Sequence, residues 1–342
     1  MDILLSLPIF SYFAAPMLGS WSSSLNFLFF YMTWATLVFS HSPLKIEVVG
    51  TLAIRIVFWL IPSILSLLVD ALLPGLVGSI KFFGSVSLPP RSALVQARQA
   101  LLAIANLVLL TALEAGISTV VGFLLQRAPL KTSTALPLPW KIIKHMFILY
   151  AAREVLTYYA HRCILHNSSG SIAKFHSQYA HQRTGAAPYS LMLYADHPVP
   201  LIFTRLVPVY LPALVLGPHI LTYFIFTLLT TVEEMLCMSG YSAVPGILMG
   251  DIARRTATHY ASNGRGNYGV WGLLDYIHGT SVGNDAVSPS ESRDETQKAQ
   301  VKVKERARKA VTRNSAKSVQ EGINSLRKSR KGWKVKKEHG RE

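Results

Sequence analysis

Forty residues from Val199 to Met238 carry only three charged side chains, Arg205, Glu233 and Glu234, and are broken near the middle by Gly217 and Pro218. About 20 apolar residues, each rising about 1.5 Å, cross about 30 Å of hydrocarbon. The stretch is therefore long enough to cross a bilayer twice, with the Gly-Pro pair as the turn of a helical hairpin. Four further apolar stretches read as spans: a short one over about Ser24–Phe39, then Gly50–Leu73, Ala100–Leu125 and Lys144–Ala160. Met1–Leu18 carries Pro8 and Pro16 and reads as a lead-in at the membrane surface. It has neither a basic leader nor a small-residue cleavage pattern, so no cleaved signal peptide is expected. Composition agrees with this reading. The chain is 50% hydrophobic and 15% charged, with a mean hydropathy of +0.32, which is more apolar surface than one soluble core of 342 residues needs. The expected fold class is all-α, a polytopic integral membrane helical bundle.

A hairpin returns the chain to the side it left, so residues 161–197 and 240–285 are expected to face one aqueous compartment as a helical cap. Residues 286–342 hold 17 Lys/Arg against 7 Asp/Glu, with Trp333 as their sole aromatic. Such a segment cannot bury a core and reads as a disordered, solvated basic tail. Contact with anionic lipid headgroups is the sharper alternative, and nucleic-acid binding is disfavoured because stacking partners are missing. Basic flanks favour the cytosol for the tail and the cap, although Arg127, Lys131 and Lys141 would then face the lumen. The chain thus divides into N-terminal membrane spans (1–139), a histidine-bearing domain containing the hairpin (140–285) and the tail (286–342).

Five of the 11 histidines, His161, His166, His176, His181 and His197, lie within 37 residues. His259 and His278 follow the hairpin. Imidazole suits Fe, Zn and Cu, and several imidazoles from separate segments are what one or two such ions need. With only Cys163 and Cys237 present, there is no CxxC zinc signature, and Cys163 reads as a small packed residue rather than a ligand. Spacing adds a condition. Residues five apart on a regular helix point about 140° apart, so His161 and His166, like His176 and His181, can converge only where the helix ends or takes a π-type turn. Otherwise each pair reaches two different ions. Any one histidine could be a polar residue at the membrane surface, and His278 reads as structural.

YYAHRCILH, FHSQYAH, YADHPVP and HYASNGRGNYGVWGLLDYIHGT, in that order and with the hairpin between the last two, resemble the fatty acid hydroxylase and sterol desaturase superfamily of membrane di-iron oxidoreductases. The match covers about residues 140–285 and includes Asn267-Tyr268-Gly269 and Gly279-Thr280. Carried over position by position, the metal ligands it implies are His161, His166, His176, His181, His197 and His259. The sequence departs from the family in its second box, His176-Ser-Gln-Tyr-Ala-His181, and in its third, Arg255-Thr-Ala-Thr-His259, which keeps one histidine where the family has three. One metal in place of two, a zinc ion, borrowed carboxylates or loss of the metal are therefore all open.

The carboxylates that could contribute are Glu154, seven residues and two helical turns before His161, together with Glu233, Glu234 and Asp196. Glu154 and Glu233 are the candidate catalytic acids, an ion pair with Arg153 or neighbouring helices being the plainer account of Glu154. Asp196 and the others could instead fix histidine tautomers. Asp251 and Asp275 read as capping or orienting helices around the last box. The resemblance implies hydroxylation or desaturation of a lipid-like substrate, such as a fatty acid, sterol or lipophilic specialised metabolite, with O2, two electrons from a cytochrome b5-type donor and membrane lipids as surroundings. It also implies residence in the endoplasmic reticulum membrane. The thinned second and third boxes leave a non-catalytic lipid-binding or scaffold protein as the alternative. A small transporter is disfavoured, since no paired, internally repeated broken helices occur.

Overall fold

The computed structural model describes residues 21–166, 170–182 and 186–283. These are about 74% helical with no strand, the class expected from the sequence. The Met1–Leu18 lead-in and the tail at 286–342 lie outside the described residues.

In chain order the helices are α1 (Trp21–Ser40), α2 (Pro43–Leu72), α3 (Pro74–Ile80), α4 (Ala93–Leu125), α5 (Pro139–Tyr159), α6 (Ser171–Tyr179), α7 (Pro198–Leu216), α8 (Ile220–Met238), α9 (Ile247–Ala261) and α10 (Leu273–Ile277). Four of them, α2, α4, α7 and α8, are long and apolar enough to cross a membrane. The hairpin closes as expected. Gly217 ends α7 in the left-handed region at φ 57°, its N–H donating to Ala213 O at 2.9 Å. In α1 the apolar stretch is Leu25–Ser40, shorter than a span. The stretch expected as a span at Lys144–Ala160 forms α5, a 21-residue helix that, with Lys141, Lys144, Arg153 and Glu154, is not one of these four. It packs beside α8, where Tyr150 meets Phe226 edge-on at 5.2 Å between ring centroids.

The chain forms two compact units, one built from the residues up to Trp59 with Leu107–Arg153 and Arg205–Val232, the other from Leu60–Asn106, Glu154–Thr204 and Glu233 onward. In the first unit, buried acidic groups within the spans have partners. Arg55 on α2 donates to both carboxylate oxygens of Glu114 on α4, at 2.7 and 2.5 Å. Glu47 accepts from Ser118 at 2.8 Å and from Tyr210 at 2.7 Å. Such groups are tolerated inside hydrocarbon only when paired and hydrogen-bonded. In the second unit, Lys81 pairs with Asp70 at 2.5 Å and Tyr241 donates to the other oxygen of that carboxylate. This joins the end of α2 to the segment after α8 and frames the unit that carries the histidines.

Candidate metal centre

His161 lies in, and His166 caps, a turn, Ala160–Leu165, that continues α5 with wider i→i+5 hydrogen bonding. The His166 N–H donates to His161 O at 3.0 Å, and this π-type geometry brings together side chains that a regular helix would point apart. His176 and His181 converge by the other route. Helix α6 ends at Tyr179, and His181 lies in the turn beyond it. His259 comes from the last turn of α9. The five rings lie with neighbouring centroids 4.6–5.5 Å apart.

Three of the five rings are held by their outward Nδ1, and the Nε2 atoms of His161 and His166 face each other at 3.2 Å. His161 Nδ1 lies 3.1 Å from Tyr268 O, and His259 Nδ1 lies 2.7 Å from Gly266 O. A carbonyl only accepts, so each Nδ1 carries the proton and each Nε2 presents a lone pair. His176 Nδ1 is 2.7 Å from Asp196 Oδ2, and that carboxylate also accepts the His197 N–H at 2.6 Å. The Asp196 backbone carbonyl receives Asn106 Nδ2 at 2.7 Å. The buried Nε2 atoms of His176 and His259 and both ring nitrogens of His181 have no hydrogen-bond partner. Burying a polar atom without a partner costs about 1–3 kcal/mol, and a cation bound in the cluster would satisfy those nitrogens that ligate it. Outward Nδ1 bonds that orient imidazoles are the usual support of a metal site. Two sets of three donors lie within 4.8 Å of one another, His161/His166/His259 and His166/His176/His181. The residues therefore fit a transition-metal ion such as iron or zinc.

Burial and the neighbouring imidazoles hold His161, His166 and His181 well below the ordinary histidine pKa, and burial lowers His259 to about 4. The neutral ring is the ligand form. With no ion bound, the unfolded chain takes up protons on these rings near pH 6.5 while the fold resists until lower pH, so stability falls as the pH drops from about 6.5 towards about 4. For His259 alone the loss is on the order of 3 kcal/mol. Thermal unfolding of chelator-treated protein across that range is expected to show the decline, with little change above about pH 6.5 from these groups.

Not every candidate residue reaches the cluster. His197 stacks on Phe175 at 4.3 Å between centroids and caps α7, its Nδ1 accepting from the Val199 N–H at 3.2 Å. His278 stacks on Tyr158 at 5.2 Å. Among the described residues no carboxylate joins either set of donors. Glu154 accepts the Val270 and Trp271 N–H groups, each at 3.0 Å, so it anchors the turn after Tyr268. Glu233 is buried on α8, outside both sets, and Glu234 is outside them too. Cys163, expected to be packed, is exposed. Asp251 pairs with Arg254 at 2.6 Å on the surface of α9.

Three supporting features are more specific than the sequence suggested. Asp275, fully buried, accepts from Tyr268 N, Gly269 N, Thr280 Oγ1 and Arg255 Nη2 at 2.7–3.0 Å, fixing the loop whose carbonyls orient His161 and His259. Asn267 clasps both ends of that loop, bonding Arg255 O and the backbone of Val282. Gly264, at φ +78°, leaves room for His166, because a Cβ there would lie 2.1 Å from the ring's Cε1. The glycine-rich run Asn263-Gly264-Arg265-Gly266-Asn267 was the available signal. Gly264→Ala forces His166 out of place and is expected to weaken Fe(II) binding at least as much as loss of an outer-shell partner does, roughly 10–100-fold, as read by titration of the purified protein.

No solved structure matches the chain. The family described as fatty acid hydroxylase, generally one of oxidoreductases, matches residues 146–280. That segment contains all five clustered histidines and the loop that orients two of them, His161 and His259. Residues 146–280 thus match the fatty acid hydroxylase family model, consistent with the fatty acid hydroxylase and sterol desaturase superfamily, and two of the four helices able to span a membrane, α7 and α8, lie within that segment.

Proposed function

We propose that the chain is a membrane-bound, iron-dependent, O2-using hydroxylase or desaturase of a lipid-like substrate. The observation that carries this reading is the convergence of five imidazoles from three segments, with three of their outward nitrogens anchored and buried nitrogens of His176, His181 and His259 left without a partner. Iron bound there supplies O2 activation and the oxidation of an unactivated C–H bond. The protein's own part is positional. Tyr268 O, Gly266 O and Asp196 set the ring tautomers, and the π-type turn and Gly264 bring His166 inward. Glu154 acts through the turn at Val270–Trp271 and so is a positioning residue.

A substrate partitioned into the bilayer reaches such a domain without an aqueous entrance, which suits the adjoining spans. The natural electron source is a cytochrome b5-type donor at the cytosolic face of the endoplasmic reticulum, the side that the positive-inside rule favours for the basic tail.

Elemental analysis of detergent-purified chain, followed by comparison of lipid extracts from cells with and without it, tests this reading. Iron in the protein together with a product more oxidised by one hydroxyl or one double bond supports it. Wild-type protein without metal and an unchanged lipid profile would instead favour the non-catalytic scaffold, whose sequence basis is the replacement of family histidines at Arg255 and Thr258.

A further inference from the structure

We infer that the cluster holds a single ion, on His161, His166 and His259, rather than a pair of ions. The inference rests on the metal-dependent reading above. Each imidazole directs one lone pair inward, and the two possible donor sets share His166. Once His166 serves one ion, a second is left with only two imidazoles. Carboxylates do not make up the difference, because among the described residues none joins either set. Asp196 has one oxygen on His176 and the other on the His197 N–H, and Asp275 is held by four donors. Two dications a few ångströms apart repel strongly without an anionic ligand between them, and the cluster offers none. The position one helical turn before His259 is taken by Arg255, a permanent cation paired with Asp275 at 3.0 Å.

The choice between the two sets follows from preorganisation. His161 and His259 both have Nδ1 on a backbone carbonyl, which leaves Nε2 as the ligand atom of each, whereas in the other set only His176 is anchored, through Nδ1 on Asp196, and neither nitrogen of His181 is held. The Nε2 atoms of His161 and His166 lie 3.2 Å apart. Neighbouring nitrogens on one ion with bonds of about 2.0–2.1 Å lie about 3.0–3.4 Å apart, so this pair already has the separation that shared coordination requires. Three imidazoles with a position left open is the arrangement of a site that binds a reactant as well as a protein ligand set.

Anaerobic reconstitution of the full chain with Fe(II), followed by metal counting and iron K-edge X-ray absorption, decides the matter independently of activity. The expected result is one iron per chain with no iron–iron scattering. Two irons per chain, or a short iron–iron distance, would overturn the inference and leave the metal-dependent reading standing. Absence of iron from the wild-type chain would remove that reading and the inference with it. His181→Ala and His259→Ala then locate the ion: His181→Ala is expected to retain one iron per chain and His259→Ala to lose it. Equal loss in both, or loss in His181→Ala alone, would overturn the assignment to His161, His166 and His259.

Discussion

His259→Ala is expected to abolish iron retention and any oxidised lipid product together, while the helices stay folded. The reasoning starts from what the side chain does. His259 is buried on the last turn of α9, its Nδ1 is tied to Gly266 O and its Nε2 faces the cluster without a partner. Truncation removes one of three ligands of the proposed ion, so the loss should exceed the roughly 10–100-fold associated with removing an outer-shell partner. It also removes a buried imidazole whose nitrogen is unsatisfied in the metal-free fold, which limits the cost to stability. His197→Ala is the informative contrast. That ring lies on Phe175 and caps α7, so its loss should cost about 1 kcal/mol of stability and leave the iron stoichiometry unchanged. Metal counting on both variants, with thermal unfolding alongside, separates a ligand from a cap. Equal iron loss in the two would show that the distinction drawn between them is mistaken.

The same contrast shows what could be read in advance. Long apolar stretches announced the helices of the bundle because lipid demands length and apolarity, which a linear sequence records directly. The Gly217-Pro218 turn was legible for the same reason, since one residue in the left-handed region ends α7. Helix α5 forms where a span was expected but is more polar than the four apolar helices, with Lys141 and Lys144 in its first turns and Arg153 and Glu154 further along. For the site, clustering picked out the residues and the five-residue spacing limited how they could meet. The structure uses both allowed routes, a π-type turn for His161 and His166 and a helix end for His176 and His181. His197 could not be separated from the others by sequence. Its neighbour Asp196 binds His176 through one oxygen and the His197 backbone through the other, so the chain passes the cluster while the ring turns away. The anchoring contacts were still less accessible. Backbone carbonyls of Tyr268 and Gly266 leave no compositional trace, and Glu154 shares a helical face with His161 yet bonds amides 116 and 117 residues further along the chain.

Asp275 is where fold and site depend on one side chain, and Asp275→Ala is expected to damage both. Its carboxylate is fully buried and receives Arg255, the Thr280 hydroxyl and two backbone N–H groups. Removing it takes away the carboxylate that Arg255, itself buried, pairs with, a loss that costs about 3–5 kcal/mol in comparable buried pairs. It also frees Tyr268 and Gly269 from the positions that aim Tyr268 O at His161 Nδ1. Stability should therefore fall by several kcal/mol, and iron binding should weaken even in whatever fraction remains folded. Asp275→Asn distinguishes the two effects. The amide fills the same volume and keeps an oxygen for the backbone N–H groups, but it carries no charge to balance Arg255. It should recover part of the iron binding while unfolding at a lower temperature than the wild type. If Asp275→Asn bound iron normally and unfolded at the wild-type temperature, the ion pair with Arg255 would not be what holds the loop, and the backbone hydrogen bonds alone would have to account for the orientation of His161.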